Sequence, residues 1–386
     1  MEAMKKLLAL TLILCLMLPA AAMGENVVKI GVFEPSTGDS GAGGKQEMLG
    51  MQYANDLFPT VTIGGEEYKV ELVYADNASA ADKAPTAAQK LISEHVSVVL
   101  GSYGSSVSNA GKPYFGEAGI PVIGVTCTNP SVTAGNTHYF RICFLDPFQG
   151  TVLAHYAMEK LGAKTAYCLG ELGNDYDTGL IYNFQQAFEA MGGVVFPEYF
   201  QTGNTDFTSY LTNAVMYGAD VIFAPCSLTY SPLIVGAASA QMVNVPLLGG
   251  DTWDSNVVVE AAAGKNVELY VSTFYQEGGN AEFDAGFKAW INGDAVNLAN
   301  NNGNDMISAV SVMGYDAYLV ALEALKAAGS TDPKAVNAAL WDVKLEGVTG
   351  AIAFDATGDA IRDVAFIKTL NTTDSTWSLA AVQGKE

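Results

Sequence analysis

Short β-branched runs alternate with helical segments along most of this chain, and this alternation restricts the fold more than any other feature. The first apolar runs lie at residues 27–33 (VVKIGVF), 69–74 (KVELVY) and 96–100, and small or polar residues follow them. Residues 45–57 and 80–95 lie between these runs and are predicted to be helices. Strands that alternate with helices predict parallel sheets with helices on both faces.

The pattern restarts after a connecting segment at residues 139–147. Two series of this kind predict an α/β fold with two doubly wound parallel-sheet lobes. The further predicted strands lie at residues 121–125, 165–169, 194–196, 220–224, 246–249, 269–274, 364–370 and 377–382. The further predicted helices lie at residues 107–118, 148–161, 176–191, 207–217, 232–241, 283–291, 306–328 and 332–341.

Residues 1–24 have the parts of a secretory signal peptide: two lysines, an apolar run at residues 7–18, and small residues behind it. The apolar run is shorter than the roughly 20 residues that a membrane-spanning helix needs. We expect cleavage after Ala22 or Gly24. Because Cys15 lies inside the apolar run, we expect no lipid anchor, and the protein is predicted to be periplasmic or extracellular.

The net charge of −22 argues against nucleic acid and anionic membrane surfaces as partners, since both repel an acidic protein. Four cysteines follow the leader, and an even number in an exported protein permits disulfides. Free or partly paired thiols are equally compatible with a chain long enough to build its own core. The four are Cys127, Cys143, Cys168 and Cys226.

Ligands of open α/β sheets bind outside the carboxyl ends of the strands, so the residues that follow each strand are the candidate site. In the first series, residues 101–106 (GSYGSS) precede a helix whose N-terminal N–H groups suit an anion. Ser105 and Ser106 add hydroxyl groups there, although serine also caps ordinary helices. Thr126 and Thr128 follow the next strand at the same sheet edge, in what is alternatively a polar turn before Pro130.

In the second series, Tyr176 opens a helix, Cys226 follows one strand and Asp251 follows another. A carboxylate at this edge would pair with a ligand ammonium group, whereas the alternative role is helix capping, for which Asp254 is the better candidate. Tyr176 and Trp253 would wall the cleft or else belong to the core.

The sequence contains little that indicates an enzyme. Residues 41–45 (GAGGK) depart from the phosphate-binding loop, because Asp39 replaces its first glycine and Gln46 its final hydroxyl residue. The three histidines have no cysteine or carboxylate at metal-ligand spacing, and no Gly-x-Ser-x-Gly motif is present. We therefore expect no enzyme activity, no metal and no cofactor.

Several segments, taken together, resemble one family over residues 28–366. They are KIGVFEPSTG from residue 29, VVLGSYGSS from 98, GIPVIGVTCTNPSVT from 119, YFRICFLDPFQG from 139, GNDYDTGL from 173, GGDTWDS from 249, GYDAY from 314 and EGVTGAIAFDATGD from 346. The chain resembles the periplasmic branched-chain amino-acid-type binding proteins of ATP-driven (ABC) transporters, the Leu/Ile/Val-binding protein family, which have the type I periplasmic-binding fold.

The resemblance implies roles for particular residues. Ser105, Thr126 and Thr128 would bind a ligand carboxylate, Tyr176 would close over the ligand, and Asp251 would pair with its ammonium group. Tyr103, Ser106, Cys226 and Trp253 are further possible ligand contacts. Some positions depart from the family. Gly43 stands where several relatives carry an aromatic residue that forms one wall of the ligand pocket, so Tyr103 is a candidate to supply that wall here. Cys226 replaces a second aromatic residue.

The resemblance also implies two lobes that close about a three-strand hinge. The first lobe would contain residues 25–145 plus 276–351, and the second residues 146–275 plus 352–386. The chain would cross between them near residues 144–146, 274–277 and 350–354. The expected protein is a monomeric binding component that delivers an amino acid to a membrane permease. The alternatives are a binder of an amide, urea or aromatic acid, and a ligand-sensing receptor module without transport.

Overall fold

The computed structural model describes residues 26–135 and 137–384, and the predicted signal peptide lies outside the described residues. The strands form two large sheets and one two-stranded hairpin. Within the described part of the chain, no helix is both long and apolar enough to cross a membrane.

The first sheet, sheet A, lies within residues 27–141, which contain the first series of predicted strands. It contains β1 (Val27–Glu34), β2 (Thr60–Ile63), β3 (Glu66–Asp76), β4 (Val98–Leu100), β5 (Val122–Gly124) and β6 (Tyr139–Arg141). The spatial order is β2-β3-β1-β4-β5-β6, and all neighbours are parallel except β2 and β3. The chain adds β3 and β2 on one side of β1 and β4 to β6 on the other. This is the doubly wound arrangement that the alternation predicts.

The second sheet, sheet B, takes its strands from two separate parts of the chain. It contains β7 (Thr165–Glu171), β8 (Val194–Phe200), β9 (Val221–Phe223), β10 (Leu247–Gly249), β11 (Leu269–Thr273), β14 (Val364–Asn371) and β15 (Thr376–Gly384). The order is β15-β14-β11-β10-β9-β7-β8, and the last two strands of the chain are antiparallel to their neighbours. The small hairpin pairs β12 (Lys344–Gly347) with β13 (Gly350–Ala353).

Helices occupy the connections between strands. They are α1 (Gly41–Leu57), α2 (Ala84–Ser93), α3 (Ser105–Ala118), α4 (Asp146–His155, continued by a π-helical turn at Tyr156–Lys160), α5 (Asp175–Ala190), α6 (Thr208–Met216), α7 (Ser231–Ala240), α8 (Asn256–Ala262), α9 (Ala281–Gly293), α10 (Ala295–Asn300), α11 (Ala309–Ala328) and α12 (Pro333–Leu340). The predicted α/β fold with two doubly wound sheets is therefore confirmed, with antiparallel strands at one edge of each sheet.

Several element boundaries differ from the prediction for local reasons. The helix predicted at 80–95 begins at Ala84, because Pro85 suits the first turn of a helix and not its interior. The helix predicted at 45–57 begins four residues earlier, within the glycine-rich segment that reads as a loop. The short elements β2, β6, β12, β13, α8 and α10 were not predicted, since each is too short for a clear periodic signal.

All four cysteines of the described chain are buried and free. The sequence is compatible with either disulfides or free thiols, and the structure has free thiols. Cys127 packs beside sheet A in one hydrophobic cluster, while Cys226 packs beside sheet B in another.

Helices α1 and α11 pack against each other over sheet A. A Cβ atom on Gly314 would overlap the carbonyl oxygen of Glu47, and one on Gly50 would overlap the carbonyl oxygen of Ser311. The two helices thus approach through a glycine on each side. This contact fixes the position of the α1 backbone at Glu47, a residue that contributes to the site described below.

We expect Gly314→Ala to destabilise the protein by about 1–3 kcal/mol, because the added methyl group overpacks the α1–α11 contact. Gly236→Ala is the matched control: it also lies inside a helix, but nothing lies within 4 Å of its added Cβ. That substitution should stabilise the protein slightly, since alanine is favoured over glycine in helices. Urea unfolding of both variants measures the difference, and equal stabilities would contradict the close-contact account.

Candidate functional site

Residues that follow strands of both sheets line one cleft between them. The lining consists of Pro35, Ser40, Ser79, Tyr103, Gly104, Ser105, Ser106, Val107, Asn174, Tyr176, Asp177, Ser227 and Thr252. Four of the nine predicted site residues belong to this lining: Tyr103, Ser105, Ser106 and Tyr176. The cleft thus lies at the carboxyl ends of the strands, as the general rule for open sheets requires.

On the side of sheet A, Ser105 is the first residue of α3, and its buried Oγ accepts a hydrogen bond from the Asn129 N–H at 3.2 Å. This bond joins the loop after β4 to the turn after β5. The two loops therefore lie side by side, as expected for neighbouring parallel strands. Ser106 instead reaches the other side of the cleft, where its Oγ accepts from the Asp175 N–H at 2.9 Å.

The turn after β5 carries the two predicted threonines, and both are buried. Thr126 Oγ1 donates to Glu47 Oε1 on α1. The buried Thr128 hydroxyl faces the carboxyl group of Asp146: burial raises the pKa of that carboxyl, and a hydrogen bond from Thr128 opposes the rise.

Arg141 holds this turn in place from β6. Its Nη1 donates to the carbonyl oxygens of Cys127 (2.8 Å) and Asn129 (2.5 Å), on either side of Thr128. Its charge is balanced by Asp359, at 2.7 Å from Nη2 and 2.8 Å from Nε. The guanidinium group therefore positions the threonines without pointing at the cleft.

On the side of sheet B, Asp251 is buried and lies in a short 3₁₀ turn directly after β10. Its Oδ1 accepts from Tyr176 Oη at 2.7 Å and from Gln149 Nε2 at 2.8 Å. Its Oδ2 has no partner within the described chain. Two donors thus orient the carboxylate, and one oxygen is left to accept from something else.

The ring of Tyr103 packs directly against Gly43 of α1. A Cβ atom on Gly43 would overlap the Tyr103 ring, so the ring occupies the space beside this glycine. Tyr103 Oη donates to the Thr252 carbonyl oxygen at 3.4 Å, which joins the two sides of the cleft.

Thr126, Thr128 and Asp251 are buried and do not belong to the lining of the cleft. Cys226 and Trp253 lie in the hydrophobic core beside sheet B and do not line it either. Trp253 Nε1 donates to the Cys226 carbonyl oxygen at 3.0 Å. Their packing favours the alternative interpretation, a role in the core.

Asp254 has a different role from the capping role predicted for it. Ser255 caps α8, since its hydroxyl accepts from the Val257 N–H at 3.3 Å. The Asp254 carboxylate instead forms a buried ion pair with Lys368 at 2.8 Å and accepts from Thr273 Oγ1 at 2.5 Å. The prediction of capping is therefore wrong, because β14 brings a lysine to this carboxylate from more than a hundred residues away.

Four buried polar residues at the site were missed by the sequence analysis. Glu34 is the last residue of β1, so the strand-end rule applied to β1 would have found it. Asp146 and Gln149 lie in the first turn of α4, and Glu47 lies in the middle of α1. No local signal identifies Glu47, because only the packing of α1 brings it to Thr126.

Comparison with known proteins identifies the family of this chain. The family profile described as periplasmic binding protein matches residues 27–374. The chain belongs to this periplasmic binding protein family.

Individual relatives cover nearly the whole chain. A Leu/Ile/Val-binding protein homolog of Brucella melitensis is 28% identical over 338 residues, which is 86% of this chain and 88% of the relative. The leucine-binding protein of Thermotoga maritima, a solved structure, is 30% identical with a TM-score of 0.83, covering 93% of this chain and 99% of that one. A Rhodopseudomonas palustris solute-binding protein in complex with benzoate shares the fold at 21% identity, with a TM-score of 0.79, covering 93% of this chain and 97% of that one.

Burial is the main electrostatic influence on the carboxyl groups of this periplasmic binding protein site. It raises the pKa of Asp251 to about 6 and that of Asp146 to about 7. It also raises the pKa of Glu47, and burial together with the neighbouring Glu47 carboxyl raises the pKa of Glu34. Each group therefore resists ionisation until a cation or donor compensates the lost hydration.

Asp146 offers a test of this electrostatic account in the ligand-free protein. Burial raises its pKa in spite of a hydrogen bond from Thr128, and the raised pKa means that the folded state holds its proton more tightly than the unfolded state. Stability must then fall as the pH rises from the unfolded pKa near 4 to the folded pKa near 7.

We expect Asp146→Asn to be more stable than wild type at about pH 8, on the order of a few kcal/mol, because asparagine has no charge to bury. The difference should shrink towards pH 4, where both side chains are neutral. Urea unfolding across this pH range measures it, with low pH as the internal control. A difference that does not change with pH would contradict the account.

Proposed function

We propose that this protein is the extracytoplasmic substrate-binding component of an ABC importer and captures an α-amino acid between its lobes. The observation that carries the proposal is the buried Asp251 carboxylate. Tyr176 and Gln149 orient it by donating hydrogen bonds to Oδ1, and its Oδ2 has no partner within the described chain. An α-ammonium group is the natural partner for this oxygen, because a desolvated carboxylate binds a cation strongly.

The opposite side of the cleft suits the other half of a zwitterion. Ser105 stands at the N-terminus of α3, where N–H groups favour an anion, and the Thr128 hydroxyl lies buried in the neighbouring turn after β5. A ligand carboxylate would accept from these groups while its ammonium group meets Asp251. An aromatic acid offers no ammonium group, so it would leave the Asp251 carboxylate unpaired.

We further propose that capture occurs by hinge closure between a lobe of residues 25–145 plus 276–351 and a lobe of residues 146–275 plus 352–386. The direct bonds between the two sides support this, since they would form and break as the lobes move. They include Asp175 N–H to Ser106 Oγ at 2.9 Å and Thr229 Oγ1 to the Asp39 carbonyl oxygen at 2.9 Å. Closure excludes water and thereby strengthens the charged contacts to the ligand.

The names of the relatives support an amino-acid ligand, since they are described as a Leu/Ile/Val-binding protein homolog and a leucine-binding protein. The proposed partner is a membrane permease, and the proposed location is periplasmic or extracellular. The proposed role is binding and not catalysis, with the protein acting as a monomer.

We expect Asp251→Asn to weaken the binding of every α-amino acid ligand by about 3–5 kcal/mol, the usual effect of breaking a buried charge pair. Isothermal titration of the mature protein with a panel of L-amino acids measures this effect. Asp342→Asn is the control, because it removes an exposed carboxylate from another part of the surface.

Unchanged affinity in the Asp251→Asn variant would show that the ammonium assignment is wrong. A thermal-shift screen of amino acids, amides, urea and aromatic acids tests the ligand class more widely. Stabilisation of the wild type by an aromatic acid, and by no amino acid, would replace this proposal with the runner-up ligand class.

A further inference from the structure

The cleft is lined mainly by polar side chains. Among the lining residues that the structure describes, only Pro35 and Val107 have wholly aliphatic side chains, and hydroxyl, amide and carboxyl groups make up most of the rest. Pockets for small ligands are usually lined mostly by apolar side chains, with a few polar groups that fix the orientation of the ligand. A leucine, isoleucine or valine side chain would therefore find few apolar partners in this cleft.

The groups proposed to bind the α-ammonium group and the α-carboxylate leave one part of the cleft unassigned. This part lies between Ser40, which precedes α1, and Ser227, which follows β9. The two segments contact each other across the cleft, since Thr229 Oγ1 donates to the Asp39 carbonyl oxygen at 2.9 Å and Tyr230 Oη to Asp39 Oδ2 at 3.3 Å. Because neither charged group of the ligand is assigned here, its side chain is the expected occupant.

Ser227 presents a buried hydroxyl in this part of the cleft. The residue is 6% exposed, and its Oγ has no hydrogen-bond partner among the described residues. Its backbone is fixed, because its carbonyl oxygen accepts from the N–H groups of Tyr230 at 3.0 Å and Ser231 at 3.2 Å. A buried hydroxyl without a partner is costly, and since Ser227 lines the cleft, a ligand can supply that partner.

Other polar side chains of the lining are already bonded within the protein. The side-chain oxygen of Asn174 caps α5, and Ser79 Oγ donates to a backbone carbonyl oxygen at 3.0 Å. The Asp177 carboxyl group accepts from the Glu171 N–H at 2.7 Å, and its own N–H also stabilises it. These bonds commit the neighbouring groups to the framework, so the partner that the cleft still requires is a neutral hydrogen-bonding group at Ser227.

We propose that the cleft selects α-amino acids whose side chain carries a neutral hydrogen-bonding group, a hydroxyl or a carboxamide, and that the Ser227 hydroxyl bonds this group. The inference rests on the proposed function, because the two charged groups of the amino acid must hold it in one orientation. A hydroxyl both donates and accepts, so Ser227 suits either side chain. An aliphatic side chain would leave Ser227 Oγ buried without a partner, and such sites reject the ligand that lacks the polar group.

One competing arrangement uses the same hydroxyl. Ser227 Oγ would bond the α-carboxylate or the α-ammonium group, which every amino acid has, and the side chain would then be irrelevant to it. Matched ligands separate the two arrangements. L-threonine and L-valine differ by a hydroxyl against a methyl group, and L-asparagine and L-leucine differ by a carboxamide against an isopropyl group.

Isothermal titration of the mature protein with these four ligands measures the selectivity. In at least one pair, wild type should bind the polar ligand at least about tenfold more tightly than its apolar counterpart. Ser227→Ala should reduce that ratio at least about fivefold by weakening the polar ligand, with the affinity for the apolar ligand changed less than about threefold. Ser378→Ala is the control: it removes an exposed hydroxyl from β15 and should change neither affinity.

Four results would overturn the inference. Equal affinities within both pairs, or a preference for the apolar ligands, refute polar selectivity but leave the proposed function standing. Equal losses for both members of a pair in Ser227→Ala support the competing arrangement, and an unchanged ratio in that variant removes Ser227 as the residue that determines specificity. Binding of no α-amino acid by the wild type, with thermal denaturation as the folding check, refutes the proposed function and the inference with it.

Discussion

The burial of carboxyl groups where two parallel sheets meet is the constraint on which the rest of this structure depends. Parallel strands end at a common edge, and here both edges face one cleft, with the buried Asp251 on the side of sheet B and the buried Glu47 on the side of sheet A. Burial raises the pKa of both groups. A site with such groups is destabilising when empty and gains most from a ligand that brings positive charge.

Two features of the framework hold these groups in place. Arg141 fixes the turn that carries Thr126 and Thr128, and its own charge is balanced by Asp359 near the end of the chain. The contact of α1 with α11 fixes the backbone of Glu47 through Gly314. Both features join residues that are hundreds of positions apart in sequence, so the geometry of the site depends on the complete fold.

The sequence predicts the fold well because alternation is a local property of long, strongly apolar segments. It also predicts Ser105, Tyr103 and Tyr176 at the cleft, since the strand-end rule needs only the strand order. It does not predict Glu47, whose place depends on how a helix packs, or the pairing of Asp254 with Lys368. For Trp253 the sequence leaves two roles open, because an aromatic residue after a strand can face the cleft or the core, and the structure places it in the core.

The four free thiols of the described chain have a consequence for how this protein matures. Burial raises the pKa of Cys127 to about 11 and raises those of Cys143, Cys168 and Cys226 as well, so each remains a protonated, unreactive side chain. The native state therefore needs no oxidant to form and gains nothing from one. The chain should reach the same fold in a reducing or an oxidising compartment, independently of disulfide-forming enzymes.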